Sequence, residues 1–293
     1  VRNFISDFNK LIKLRLTLTV VFSASICFLI GSRFQGEINW GNWIILTIGG
    51  FLVTSAANGF NEIIEKDLDK LMKRTMDRPI PSGKMTTGQA LVLSLIMGIS
   101  GTYLLVRLNF PTGVLSVFSI FLYAFVYTPM KRKSPIAVFI GAFPGALPPL
   151  IGYFAAFNEP KVSWVPIILF SIQFVWQFPH FWAIAWVLDE DYKRAGFRLL
   201  PSTRQDKTSA MITLASTIIL IPISLMPTVY LMPSGQAFGG SIYTIIALLA
   251  GMFFVWQAVQ LYIKRDVPSA KKLMYTSFIY LPLMQLTLLF DFV

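Results

Sequence analysis

Cysteine, histidine and charge are scarce in these 293 residues. The one cysteine, Cys27, rules out a disulfide within the chain, and inside an apolar run it reads as a small buried hydrophobe. Only 13% of the residues are charged, against about a quarter in an ordinary soluble domain. With 55% hydrophobic residues, loops alone cannot supply the missing polar surface, which argues against a soluble enzyme, a disordered chain and a small disulfide scaffold. Val1 to Lys10 lack the short apolar stretch and small-residue cleavage site of a removable signal peptide, so the first apolar run is expected to stay in the membrane.

Long apolar runs are abundant. Nine stand out, at 14–31, 41–60, 88–107, 112–128, 135–153, 162–186, 209–230, 239–262 and 272–290. Each is near the ~20 residues that a helix needs to cross a bilayer. Glycine and proline punctuate them (Gly49-Gly50, Pro144, Pro148-Pro149, Pro179, Pro222, Pro282), as membrane helices allow. Helices are the expected spanning element, because the alternation of barrel strands is missing. The sequence therefore predicts an all-α, polytopic membrane protein of nine transmembrane helices, read as one domain over 1–293 with charged connections at 61–87 and 187–208. Both connections follow an even-numbered span, which hints at a four-helix pseudo-repeat.

Charge tests this count. With nine alternating helices, one side of the membrane collects 22 of the 25 lysines and arginines; Arg33, Arg107 and Lys161 fall on the other. A missed helix would scramble that split. By the positive-inside rule the rich side is cytoplasmic, which puts the amino terminus inside and the carboxyl terminus on the far side of a cytoplasmic (inner) membrane. The net charge of +11 is then an orientation signal rather than evidence for nucleic acid.

The most informative stretch runs from Asn58 to Gly83. If the second helix continues into it, Asn61, Glu65 and Asp69 fall at i, i+4 and i+8 and drift only about 80° around the axis. Three oxygen donors then share one face at the membrane mouth, with Glu62 beside them and Asp67 pointing elsewhere. Such hard donors suit Mg²⁺, which binds through one or two carboxylates together with substrate phosphates. Lys73, Arg74, Arg78 and Lys84 follow, and arginine holds phosphate oxygens in bidentate fashion. The plainer reading is a solvated loop with ion pairs, and Asn58 can simply bond a neighbouring helix. A second cluster, Asp189-Glu190-Asp191-Tyr192-Lys193-Arg194, repeats the chemistry after the sixth span. His180 lies within that span, and three roles stay open for it: a packed hydrogen-bonding group, an iron ligand or a proton donor. Lys131-Arg132-Lys133 and Arg15 emerge on the same side.

These residues resemble the UbiA superfamily of intramembrane aromatic prenyltransferases, and within it the heme-farnesylating branch. The superfamily's Asn-x3-Asp-x3-Asp pattern is matched by Asn61, Glu65 and Asp69, with Glu65 in place of the central aspartate. The branch's longer pattern is matched by Asp67, Asp69, Met72, Arg74, Thr75, Arg78 and Pro79. Further matches are Lys13-x-Arg15, Tyr127-Thr128-Pro129, Gly141 to Gly152, Pro179-His180-Phe181 and Asp191 to Gly196. A second Asp-x3-Asp motif, found in quinone-type relatives, is missing here, since Ala195 follows Asp191 by four residues.

The resemblance implies transfer of a farnesyl group from farnesyl diphosphate to a vinyl group of heme b. It implies Asn61, Glu65, Asp69 and Asp191 as holders of Mg²⁺ and diphosphate, with Asp67 and Asp189 as alternates. It implies Arg15, Arg74, Arg78, Lys131 and Lys193 as direct diphosphate contacts, His180 as a further catalytic candidate, and a heme A synthase as recipient of the product. A sister enzyme acting on a quinone precursor or chlorophyllide is the rival reading, and a transporter a remote one.

Overall fold

The computed structural model describes residues 4–160, 162–232, 235 and 237–292. Lys161, counted above on the far side, lies outside the described residues, as do Val1 to Asn3 and Val293. Among the described residues, nine helices are long and apolar enough to cross a membrane: Leu14–Gln35, Trp40–Asp69, Thr87–Leu108, Phe110–Met130, Ile136–Ala155, Trp164–Val187, Lys207–Val229, Ser241–Lys264 and Val267–Phe290. The chain is an all-helical, multi-pass integral membrane protein. Large apolar side chains such as Ile99, Ile245, Phe253 and Ile279 stand exposed on the bundle surface, where lipid replaces water as their solvent.

Polar side chains start several helices by accepting from backbone N–H groups that have no helical partner. Thr86 and Gln89 form a reciprocal capping box at the third span. Asp206 and Asp266 cap the seventh and ninth spans through the N–H groups of Ser209 and Ser269. Two features were not expected from apolar run length. The second span continues to Asp69 and reaches 30 residues, or about 45 Å, longer than the ~30 Å hydrocarbon layer. A short helix, Phe4–Leu11, precedes the first span and is joined to it through Lys13, whose backbone is left-handed (φ 49°, ψ 56°).

Spans one to five pack as one group and six to nine as another. The groups meet along two seams, where the fifth span packs on the sixth and the first span touches the ninth. Close approach depends on small residues. A Cβ on Gly101 would lie 2.9 Å from the Val53 backbone nitrogen, and one on Gly152 would collide with the Ala24 carbonyl. Pro149 leaves the Gly145 carbonyl without its helical donor, and Gln173 Nε2 fills that role at 2.7 Å. Gln173 also accepts from Ser23 (2.7 Å) and Gln285 (3.1 Å), which ties the first, fifth, sixth and ninth spans through one buried polar network. Gly152→Ala is expected to wedge the first and fifth spans apart at a cost of about 1–3 kcal/mol. A melting curve in detergent checks this against Gly50→Ala, whose added methyl meets nothing and should not lower the midpoint.

Candidate active site

The overlong second span carries its last turns into the charged end of the bundle. Asn61, Glu62, Glu65 and Asp69 are all buried there. Asn61 is a junction: its Oδ1 accepts from Lys13 Nζ at 2.5 Å, and its Nδ2 donates to Glu65 Oε2 and to Thr128 Oγ1, both at 2.9 Å. Thr128 and Lys131 arrive from the fourth span, which widens to π-helical geometry over Phe121–Tyr127 just before them. Such segments recur at functional sites. Asn58, one turn deeper, donates to Ile12 O and Thr17 Oγ1, so it binds a neighbouring segment.

Each buried carboxylate faces a cation or a backbone donor. Lys131 Nζ lies 2.8 Å from Glu65 Oε1 and 3.0 Å from Oε2, but only the contact to Oε2 has hydrogen-bond geometry. Arg78 Nη1 lies 2.6 Å from Asp69 Oδ2. Glu62 Oε1 accepts from the Ile80 backbone N–H at 3.1 Å and so clamps the Arg78-bearing loop to the helix. One oxygen on each of the three remains buried without a hydrogen bond: Glu62 Oε2, Glu65 Oε1 and Asp69 Oδ1. Residues 62, 65 and 69 are spaced i, i+3, i+7, so these side chains form one stripe along the helix.

Beside the stripe opens a cavity of about 690 Å³, whose lining includes Lys10, Lys13, Arg15, Arg74 and Arg78. No acidic side chain lines it. Three of these cations, Arg15, Arg74 and Arg78, were expected from the sequence; Lys10 and Lys13 were not assigned. Burial of the Lys13 ammonium, with Arg78 and Lys131 nearby, holds its pKa well below the usual lysine range.

The second cluster lies at the same end. The Lys73 backbone N–H donates to Asp191 Oδ1 at 3.4 Å, and the Arg198 N–H donates to the Lys131 carbonyl at 2.8 Å. Three connecting loops therefore meet over the mouth. Lys193 pairs with Asp189 at 2.5 Å and Arg194 with Asp191 at 3.0 Å. Asp67 stands apart, with its side chain mostly exposed and paired to Lys70 at 3.0 Å. His180 stands away from this network: its partners are Trp176, Ser277 and Phe278.

Among the described residues, no three acidic, histidine or cysteine side chains are close enough to coordinate one ion as they stand. The donor chemistry nevertheless fits a hard divalent cation. Three buried carboxylates on one helix face each keep an oxygen that accepts no hydrogen bond, and a buried oxygen left in that state is costly. Glu62 was legible as a neighbour of the motif face. Lys13 left a weaker signal, its two-residue spacing from Arg15.

A bundle of membrane-spanning helices whose loops gather buried acids against a basic cavity defines a multi-pass membrane enzyme. The model of the UbiA prenyltransferase family matches residues 20–282. A protoheme IX farnesyltransferase of Cytophaga hutchinsonii is 45% identical over 284 residues, covering 96% of each chain. One from Flavobacterium psychrophilum is 40% identical, covering 99% of this chain and 96% of its own. Among solved structures, a digeranylgeranylglyceryl phosphate synthase superposes with a TM-score of 0.79 at 21% identity, over 98% of both chains. A UbiA homolog from Archaeoglobus fulgidus, bound to GPP and Mg²⁺, gives 0.69 at 10% identity, over 97% of this chain and 99% of its own. The chain belongs to the UbiA prenyltransferase family.

Proposed function

We propose that this protein transfers the farnesyl group of farnesyl diphosphate to a vinyl group of heme b, with addition of water, to give heme O and diphosphate. The observation that carries the proposal is the five-cation cavity set against a stripe of buried carboxylates, in a chain that matches heme-farnesylating relatives along its length. Arg15, Arg74, Arg78 and Lys13 bind the diphosphate oxygens. Asn61, Glu65 and Asp69, with Asp191 across the mouth, would hold Mg²⁺, and bound metal neutralises charge on the leaving group.

When the carbon–oxygen bond breaks, its electron pair leaves with the diphosphate, and the cations stabilise that charge. The vinyl group supplies the electrons for the new carbon–carbon bond. Water then adds to the carbon left positive and loses a proton. No serine or cysteine nucleophile is needed. The spans exclude bulk water from the allylic cation, and aromatic faces such as Tyr123 and Tyr127 beside Lys131 border the mouth.

The charged end is read as cytoplasmic, and the product as passing to a heme A synthase. A mass spectrum of hemes from cells expressing the chain is the test. A farnesylated, hydrated heme is expected, with its formation in isolated membranes abolished by EDTA and restored by Mg²⁺. Mass gained by 4-hydroxybenzoate and not by heme b would overturn the assignment of the acceptor.

A further inference from the structure

His180 is the one histidine of the chain, and the structure gives it a fixed orientation. Its ring stacks on Trp176, with centroids 4.4 Å apart and planes 17° apart, and meets the edge of Phe278 at 5.2 Å. Trp176 is itself held, since its Nε1 donates to the Ser277 carbonyl at 2.9 Å. His180 Nδ1 lies 2.8 Å from Ser277 Oγ. The Ser277 hydroxyl hydrogen is already used, donated to the Met274 carbonyl at 2.6 Å. Ser277 Oγ therefore accepts, and Nδ1 carries the ring proton. A second proton on Nε2 would put an unpaired charge in an apolar wall, because the ring has no carboxylate partner among the described residues. The ring is then neutral, with the lone pair on Nε2, and Nε2 has no hydrogen-bond partner among the described residues.

A histidine whose tautomer is fixed at Nδ1 by a neighbouring acceptor, with Nε2 free, is arranged as a metal ligand. A bare ion would need about four protein donors. Here there is one nitrogen among Trp176, Phe181 and Phe278, with no cysteine, carboxylate or second histidine gathered beside it. A metal that brings four nitrogens of its own needs only one more.

We propose that His180 Nε2 is the axial ligand to the iron of the porphyrin acceptor, bound where the sixth and ninth spans meet. This rests on heme b as the acceptor and names the contact that selects it. His180 lies seven residues before the end of its helix, which sets its place on the helix about 10 Å below that end. The diphosphate end of the donor and the metal end of the acceptor then occupy different depths of one bundle.

The test titrates heme b and metal-free protoporphyrin IX into the purified full-length chain in nanodiscs, read by the Soret band and by resonance Raman. Wild type is expected to show histidine-ligated iron. His180→Ala should bind heme b at least tenfold more weakly and lose that signature, with binding of the metal-free porphyrin unchanged. Imidazole should restore the signature in His180→Gly, and His180→Met should show thioether ligation in a folded chain. Ser277→Ala, which frees the tautomer, should weaken heme binding roughly tenfold. An identical heme spectrum and affinity in wild type, His180→Ala and His180→Met overturns the inference, even if wild type farnesylates heme. Histidine-ligated heme in a wild type that never gains a farnesyl group overturns the proposed reaction and leaves this contact standing.

Discussion

Asp69→Ala is expected to lower farnesyl transfer in membranes by about 10²- to 10³-fold, the loss that follows removal of one group stabilising charge in a transition state. The side chain is fully buried, with one oxygen on Arg78 and the other unpartnered. Truncation therefore removes a candidate metal donor and also strands a mostly buried guanidinium. Breaking such a pair costs about 3–5 kcal/mol of stability. Two further variants separate the effects. Asp69→Asn keeps the size and an oxygen for Arg78 but loses the charge, so it should fold and still be slow. Asp69→Ala with Arg78→Ala removes the stranded cation and should recover stability without activity. Turnover of Asp69→Asn close to wild type would remove Asp69 from the site.

Lys13→Met should reduce kcat/KM for farnesyl diphosphate about a hundredfold, because one charge-assisted contact to the diphosphate and the bond that orients Asn61 go together. The same residue predicts a pH dependence. Burial holds its pKa below the ordinary lysine value, so the ammonium is present at low pH and is lost as pH rises through the lowered pKa. KM for the diphosphate should accordingly climb on the alkaline side, at a pH where a solvated lysine would still be charged. Lys13→Arg keeps its charge throughout and should flatten that limb. The pH profiles of wild type and Lys13→Arg check this; superimposable alkaline limbs would assign the titration to another group.

The nine spans were readable because hydrocarbon thickness translates directly into a run of apolar residues. The ends were less so. The second helix overshoots its apolar run by nine residues, to Asp69, since its charged turns continue the helix while no longer looking like membrane. Phe4–Leu11 escaped notice because eight residues are too few to register as a span. Within the site, the placement of Asn61, Glu65 and Asp69 on one face followed from helical spacing alone. Their partners did not. Lys131 meets Glu65 across 66 positions, and the Lys73 N–H reaches Asp191 across 118. The same helical spacing turned Asp67 away from that face, and it pairs outside with Lys70, while Asp69 is buried within against Arg78.

By itself, the order of residues determined which described segments form helices long and apolar enough to cross a membrane, which of the connections carry the positive charge and which side chains share a helix face. All of these depend on neighbours a few positions apart. Only the tertiary structure decided which cation answers which acid, that Lys13 belongs to the basic cavity, and that Ser277 dictates which nitrogen of His180 is free. Those outcomes depend on distances of a few ångströms between residues remote in the chain, and on how thoroughly each meeting point is shut away from water.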